Sequence, residues 1–301
     1  MPEQPTAEQI RGVNARYHDL ASQSYDSKWG IDYGEKGAAQ VLAKMRKALG
    51  QPLRPMGRGL EIGAGTGYFS LNLLKQGILS EVTCTDVSAG MLETLAGSAE
   101  RLNVDVETVV CDAESLPFPS GSFDVVFGHA VLHHIPDLER AFSEFRRVLK
   151  PGGLVAFCGE PSRTGDRLAM YPKRAALAVA PLWRTALRAR KHTGSDGSWG
   201  KDEEAALEPY VDVHAFTPAD LEQAARGGGF KNVRIKGEEL AASWFGWANR
   251  TLESTAEPSD VPWLWRRYAF HGYLALQRVD RALLEPYLPP AIFYNLLISA
   301  S

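Results

Sequence analysis

Gly59-Leu-Glu-Ile-Gly-Ala-Gly-Thr-Gly-Tyr-Phe-Ser70 reads as a short apolar strand containing an acid, followed by glycines at alternate positions and a helix-like run of Leu71, Leu73 and Leu74. Glycine at 63, 65 and 67 lets the backbone turn tightly off a strand and approach a ligand with no Cβ in the way. A dinucleotide fingerprint counted from Gly63 needs glycine at 68, where this chain has Tyr68. The spacing Glu61-x-Gly63-x-Gly65-x-Gly67 therefore speaks against a nicotinamide site.

Further motifs follow in order. Asp86 closes the strand-like run that begins at Glu81, and an acid there would lie beside the first strand's loop, where its two oxygens can accept both hydroxyls of a ribose. Met91, shortly behind it, can lay a soft thioether on a purine face. A third β segment, Val106 to Cys111, runs into Asp112-Ala113. Phe123 enters a fourth strand that leads to His129, His133 and His134. An amphipathic helix then extends through Arg147, and Lys150-Pro-Gly-Gly153 precedes a fifth strand, Leu154 to Cys158.

This series over residues 55–160 resembles the class I S-adenosylmethionine (SAM) methyltransferases, in their ubiquinone- and menaquinone-type small-molecule branch. The resemblance implies a doubly wound, mostly parallel seven-stranded Rossmann-like sheet of order 3-2-1-4-5-7-6, its last strand antiparallel, with helical lid insertions. It implies SAM as cofactor, held by Tyr25, Glu61, Gly63, Ala64, Gly65, Gly67, Asp86, Val87, Met91, Asp112, Ala113 and His129. In the family the acid at Asp112 accepts from the adenine amino group, the next N–H meets a ring nitrogen, and His129 supplies a backbone carbonyl. An N-terminal Tyr-Asp pair, here Tyr25-Asp26 ahead of Ser27-Lys28-Trp29, folds over the cofactor, as Tyr17 could also do. The competing reading is an ordinary helix packing its aromatic face.

Methyl transfer from a sulfonium needs alignment and exclusion of water more than covalent help. A base is required only where the acceptor must lose a proton. Glu160, at the end of strand five, is the first candidate for that catalytic role, ahead of His129. His133 and His134 are further candidates, against the structural reading in which the pair caps or packs a helix start. Asp124 reads as a stabiliser of the turn into strand four.

Thr217-Pro218 opens a helix that Gly227-Gly228-Gly229 ends. Strand six is Phe230 to Ile235, and strand seven Ile292 to Ile298. The chain thus reads as one domain of 1–301. It has an N-terminal helical cap (1–50), the SAM-binding core (55–160), a basic insertion (161–215), a helix and sixth strand (216–237), an aromatic-rich helical insertion (238–290) and a final strand (291–301). The basic insertion holds eight Lys/Arg against Asp166 between Ser162 and Lys191, with a short amphipathic helix beginning at Pro181. The second insertion holds Trp244, Trp247, Trp263 and Trp265. Both leave the carboxyl edge of the sheet, where ligands bind in open α/β folds, and long loops there are commonly lids. They suit a small-molecule acceptor, lipid-, prenyl- or polyketide-like, with peripheral membrane contact. The bland alternative is a folded lid over a small polar substrate.

At 301 residues, 45% hydrophobic and 23% charged, the chain can bury a full α/β core, and a net charge of −3 gives no pull toward nucleic acid. Neither a signal peptide nor a membrane-spanning stretch is visible, which points to the cytoplasm. Cys84, Cys111 and Cys158 read as reduced core thiols, with no metal site. Two other functions stay open: a SAM-binding protein without turnover, acting as subunit or regulator, and a nicotinamide oxidoreductase.

Overall fold

The computed structural model describes residues 6–23, 25–26, 30–192 and 214–301. Seven strands alternate with helices, beginning with β1 (Arg58–Ile62), α3 (Tyr68–Lys75), β2 (Glu81–Asp86), α4 (Ala89–Leu102) and β3 (Glu107–Val110). There follow β4 (Phe123–His129), α5 (Leu138–Val148) and β5 (Leu149–Pro161), and later α7 (Pro218–Gly227), β6 (Val233–Glu238) and β7 (Asn295–Ala300). Two helices, α1 (Ala7–Ala21) and α2 (Glu35–Leu49), precede the sheet. The strands form one sheet of order β3-β2-β1-β4-β5-β7-β6, in which β3, β2, β1, β4 and β5 pair in parallel. Asn232 and Ser301 exchange N–H···O bonds, so β7 runs antiparallel to β6.

Near-continuous apolar burial is what a parallel sheet covered on both faces requires, and β1 and β4 show it: Leu60, Ile62, Val125, Val126 and Phe127 are all buried. Val41 and Met45 of α2 pack with Phe69, Leu73, Leu92 and Leu95 against Cys84, Val125 and Phe127. Thr217 caps α7 with its hydroxyl on the Asp220 N–H, and Pro218 takes the first helical position, as expected. Asp124 does not serve a turn. Its carboxylate accepts from the Arg58 N–H at 2.9 Å and the Lys150 ammonium at 2.8 Å, tying the starts of β1 and β5 to β4.

By contacts the chain divides into two compact units, residues 1–160, 198–236 and 297–301 in the first and residues 161–197 and 237–296 in the second. The second unit is built on α6 (Arg163–Leu187), α8 (Ala241–Ser254) and α9 (Trp263–Val279). The helix expected to begin at Pro181 is part of α6, a 25-residue helix with Pro172 and Pro181 in its interior. A buried stripe of Ala169, Ala176 and Ala180 spans Pro172, and beyond Pro181 the half-buried Trp183 packs with Ala176 and Ala180, so packing overrides the missing N–H groups. Residues 193–215 of the basic insertion fall, up to position 213, outside the described residues.

Candidate functional site

The loop after β1 takes Gly63, Gly65 and Gly67 into the left-handed region, at φ of 60°, 52° and 90°. The reasons differ between positions. A Cβ on Gly63 would stand 2.2 Å from Val131 Cγ2, so that glycine permits close packing against the segment after β4. A Cβ on Gly65 would meet nothing within 4 Å and would project into a cleft that Gly65 lines. Gly63→Ala is therefore expected to lose about 3 kcal/mol of stability from overpacking and backbone strain together. Gly65→Ala should lose about 1 kcal/mol yet bind the cleft's ligand at least about tenfold more weakly. Denaturant unfolding and titration calorimetry on the two variants separate these outcomes.

Three acids leave the strand ends and only two reach the cleft. Asp86 Oδ2 accepts from the Gly65 N–H and Oδ1 from the Ser88 N–H, each at 2.9 Å. Each oxygen keeps lone-pair capacity for a ligand. Asp112 is anchored through Oδ1 to the Glu114 N–H and also lines the cleft. Glu61 is different. Fully buried beneath the loop, it accepts from the Ser70 N–H at 3.1 Å at the start of α3 and does not line the cleft, so the expected cofactor contact gives way to a structural one. Ala64 and Gly67 likewise hold the loop from behind: the Ala64 N–H donates to the Thr85 carbonyl, and Gly67 opens α3.

Burial pushes the Glu61 carboxyl up to about 8, with the Asp86 charge adding to the rise against the opposing bonds from Ser70. Between the ordinary carboxylate range and about 8 the folded protein keeps a proton that the unfolded chain has released. Unfolding then releases a proton, so this group's contribution to stability falls as pH rises through that window. Melting temperatures from pH 5 to 8 should show the decline, and Glu61→Gln should flatten it.

A wall of the cleft comes from α1, which carries Arg11, Asn14 and His18. The Arg11 guanidinium pairs with Asp112 at 3.2 Å and Glu114 at 3.3 Å. Asp19, one residue past His18, accepts from the Ser88 hydroxyl and the Gly90 N–H at the start of α4. Both clamps fasten α1 to the loops after β2 and β3. Tyr25 lines the cleft; its burial, with the Asp86 charge nearby, holds the phenol protonated. Tyr17 is buried with its ring edge-on to His18. Ser27, Lys28 and Trp29 lie outside the described residues.

At the other side, β4 ends in His129, which stacks on Phe69 with centroids 4.7 Å apart and faces the cleft. Ala130, at φ 53°, turns the chain off the strand. Glu160, expected to face an acceptor, is closed off from the cleft. Its Oε1 accepts from the N–H groups of Val131 and Leu132, and its Oε2 from the N–H and Nδ1 of His133. This carboxylate thus organises the turn Leu132–His134, and His133 belongs to the same buried knot. His134 lies on the cleft, 5.5 Å between ring centroids from His18. Arg11, Asn14 and His18 did not stand out in the sequence as cleft residues, for a helix's polar positions do not announce which of them face a ligand, whereas His134 was among the candidate bases.

The resulting cleft spans about 750 Å³, counting the open space at its mouth. Val87, Met91, Ala113, Cys111 and Ile135 supply an apolar lining around the two acids, so Cys111 is a cleft thiol and not a core one. Paired acceptors, a glycine with open space before it and a flat apolar slot fit an adenosine group. Among the described residues no cluster suited to a metal ion occurs, and no helix is long and apolar enough to cross a membrane.

Residues 60–157 match the family model described as a methyltransferase domain. The malonyl-[acyl-carrier protein] O-methyltransferase of Methylococcus capsulatus is 29% identical over 229 residues, 71% of this chain and 70% of that one. The ubiquinone/menaquinone biosynthesis C-methyltransferase UbiE of Ralstonia pickettii is 34% identical over 154 residues, covering 51% of this chain and 60% of the relative. Among solved structures, Haemonchus contortus phosphoethanolamine N-methyltransferase 2, in complex with phosphomonomethylethanolamine and S-adenosylhomocysteine, aligns with a TM-score of 0.59 at 19% identity, over 100% of this chain and 61% of that one.

Proposed function

Since the chain carries a class I SAM-dependent methyltransferase domain of the small-molecule type, we propose that it catalyses methyl transfer from SAM to a small hydrophobic acceptor, leaving S-adenosylhomocysteine. One observation carries the reading: Asp86 is fastened to the Gly65 N–H and lines the cleft, with lone-pair capacity left for a ligand. SAM, when bound, supplies an electrophilic methyl on a sulfonium.

The chain's own residues do the rest. Asp86 and Asp112 would bind and orient the nucleoside, with Met91 and Ala113 against its flat faces. The aromatic and apolar side chains of Tyr25, Val131 and Ile135 exclude water from the cleft. With Glu160 engaged elsewhere, a proton leaving the acceptor would pass to an imidazole on the cleft, His134, His18 or His129. The acceptor is of the lipid-, prenyl- or polyketide-like class, met by the protein at the periphery of a membrane.

Incubating the protein with methyl-labelled SAM and extracts of lipids and of polar metabolites tests the reading. Label in the organic-soluble fraction is the expected result. Tight SAM binding with no transfer to any fraction would favour a binding protein, and heat on titration with a nicotinamide nucleotide alone would favour an oxidoreductase.

A further inference from the structure

The second unit carries charge and apolar surface that the methyl-transfer site does not use. Among its described residues, 161–192 and 237–296, thirteen Lys/Arg stand against eight Asp/Glu, in a chain whose net charge is −3. The distribution is more one-sided than the count, because each of those eight acids is buried or half-buried. Asp280, for example, is spent on the N–H groups of Ala241 and Ala242 at the start of α8, and Asp260 on Arg190. The fully exposed charge among these described residues is therefore positive.

Apolar side chains stand out among these cations. Trp183 of α6 meets Trp265 of α9 edge to face at 5.1 Å, which brings the end of one helix to the start of the other. Beside that junction Leu182 is 76% exposed, Trp263 65% and Leu264 70%. Arg188 follows α6, and Arg267 lies over the Trp263 ring at 4.7 Å. Exposed leucine and tryptophan, with one arginine over a tryptophan ring and another at the adjoining helix end, is the composition of a face that enters the headgroup layer of a bilayer. A folded protein partner would need complementary groups at fixed places. A bilayer needs only one sign of charge and apolar side chains that protrude.

We propose that the second unit docks on an anionic lipid bilayer through the junction of α6 and α9, inserting Leu182, Trp263 and Leu264 and pairing Arg188 and Arg267 with lipid phosphates. The proposal rests on the hydrophobic-acceptor reading only for its purpose, and vesicle binding is measured without turnover, so either can fail alone.

The test is flotation of the full chain with vesicles of phosphatidylcholine, alone or mixed with phosphatidylglycerol, at low and high salt. Expected is binding to the anionic vesicles only, lost at high salt where charges are screened within about 3 Å. The paired substitutions Arg188→Glu with Arg267→Glu, and separately Leu182→Ser with Leu264→Ser, should each weaken binding at least about tenfold. SAM affinity and melting temperature should stay at wild-type values, since these side chains line no part of the cleft. Absence of flotation at low salt, equal binding to neutral vesicles, or binding that both pairs leave intact would overturn the proposal. So would retention on an acidic protein with no vesicle binding. Should a pair unfold the chain, the lipid and salt dependence of the wild type decides alone.

Discussion

Asp86→Ala is expected to weaken the binding of both SAM and S-adenosylhomocysteine at least about a hundredfold, about 3 kcal/mol. Two losses combine. On the proposed binding mode the carboxylate is the acceptor for a pair of ribose hydroxyls, and hydrogen bonds to a charged group are each worth about 1.5–3 kcal/mol. The same oxygens hold the N–H groups of Gly65 and Ser88, so alanine also frees the glycine loop and the start of α4. Asp86→Asn, which keeps one acceptor and the shape, should lose about tenfold. Titration calorimetry on the three proteins measures the series. If Asp86→Ala binds within threefold of wild type, the nucleoside is held somewhere other than beside β1 and β2.

Much of this site could be read from residue order, for a physical reason. In a parallel sheet every strand delivers its last residue to the same edge, so Gly63, Asp86, Asp112 and His129 had to converge once β1 to β4 were placed in the observed order. What the sequence could not fix is the direction in which each strand-end side chain turns. Glu61 and Glu160 are strand acids like Asp86, yet both turn away from the cleft, one to α3 and the other to the turn after β4. Their partners are backbone N–H groups, which leave no residue-type signature. Nor did α1 reveal that Arg11 and Asp19 would clamp it across the cleft, since an arginine and an aspartate on a helix read as solvated. Pro181 misled for the opposite reason: it looks like a helix start, and only the alanine stripe packed behind it shows that the helix began at Arg163.

Glu160 separates structural from chemical roles most sharply. Glu160→Ala is expected to cost about 3–5 kcal/mol of stability, because removing one side of a buried charge network strands the other. Here the stranded groups are three backbone N–H donors and the Nδ1 of His133, all around a carboxylate that is fully buried. Glu160→Gln is the finer instrument. Its carbonyl oxygen can still accept from Val131 and Leu132, but its amide must point N–H toward the N–H of His133, so a loss of about 2 kcal/mol is expected. Because that turn presents His134 to the cleft, methyl transfer should fall along with stability, and lowering the temperature until the variant is fully folded should restore much of it. A base that touches the acceptor would behave otherwise: Glu160→Gln would melt like wild type and remain slowed at least about tenfold at every temperature. Paired melting curves and turnover rates decide between a carboxylate that shapes the turn and one that takes the proton.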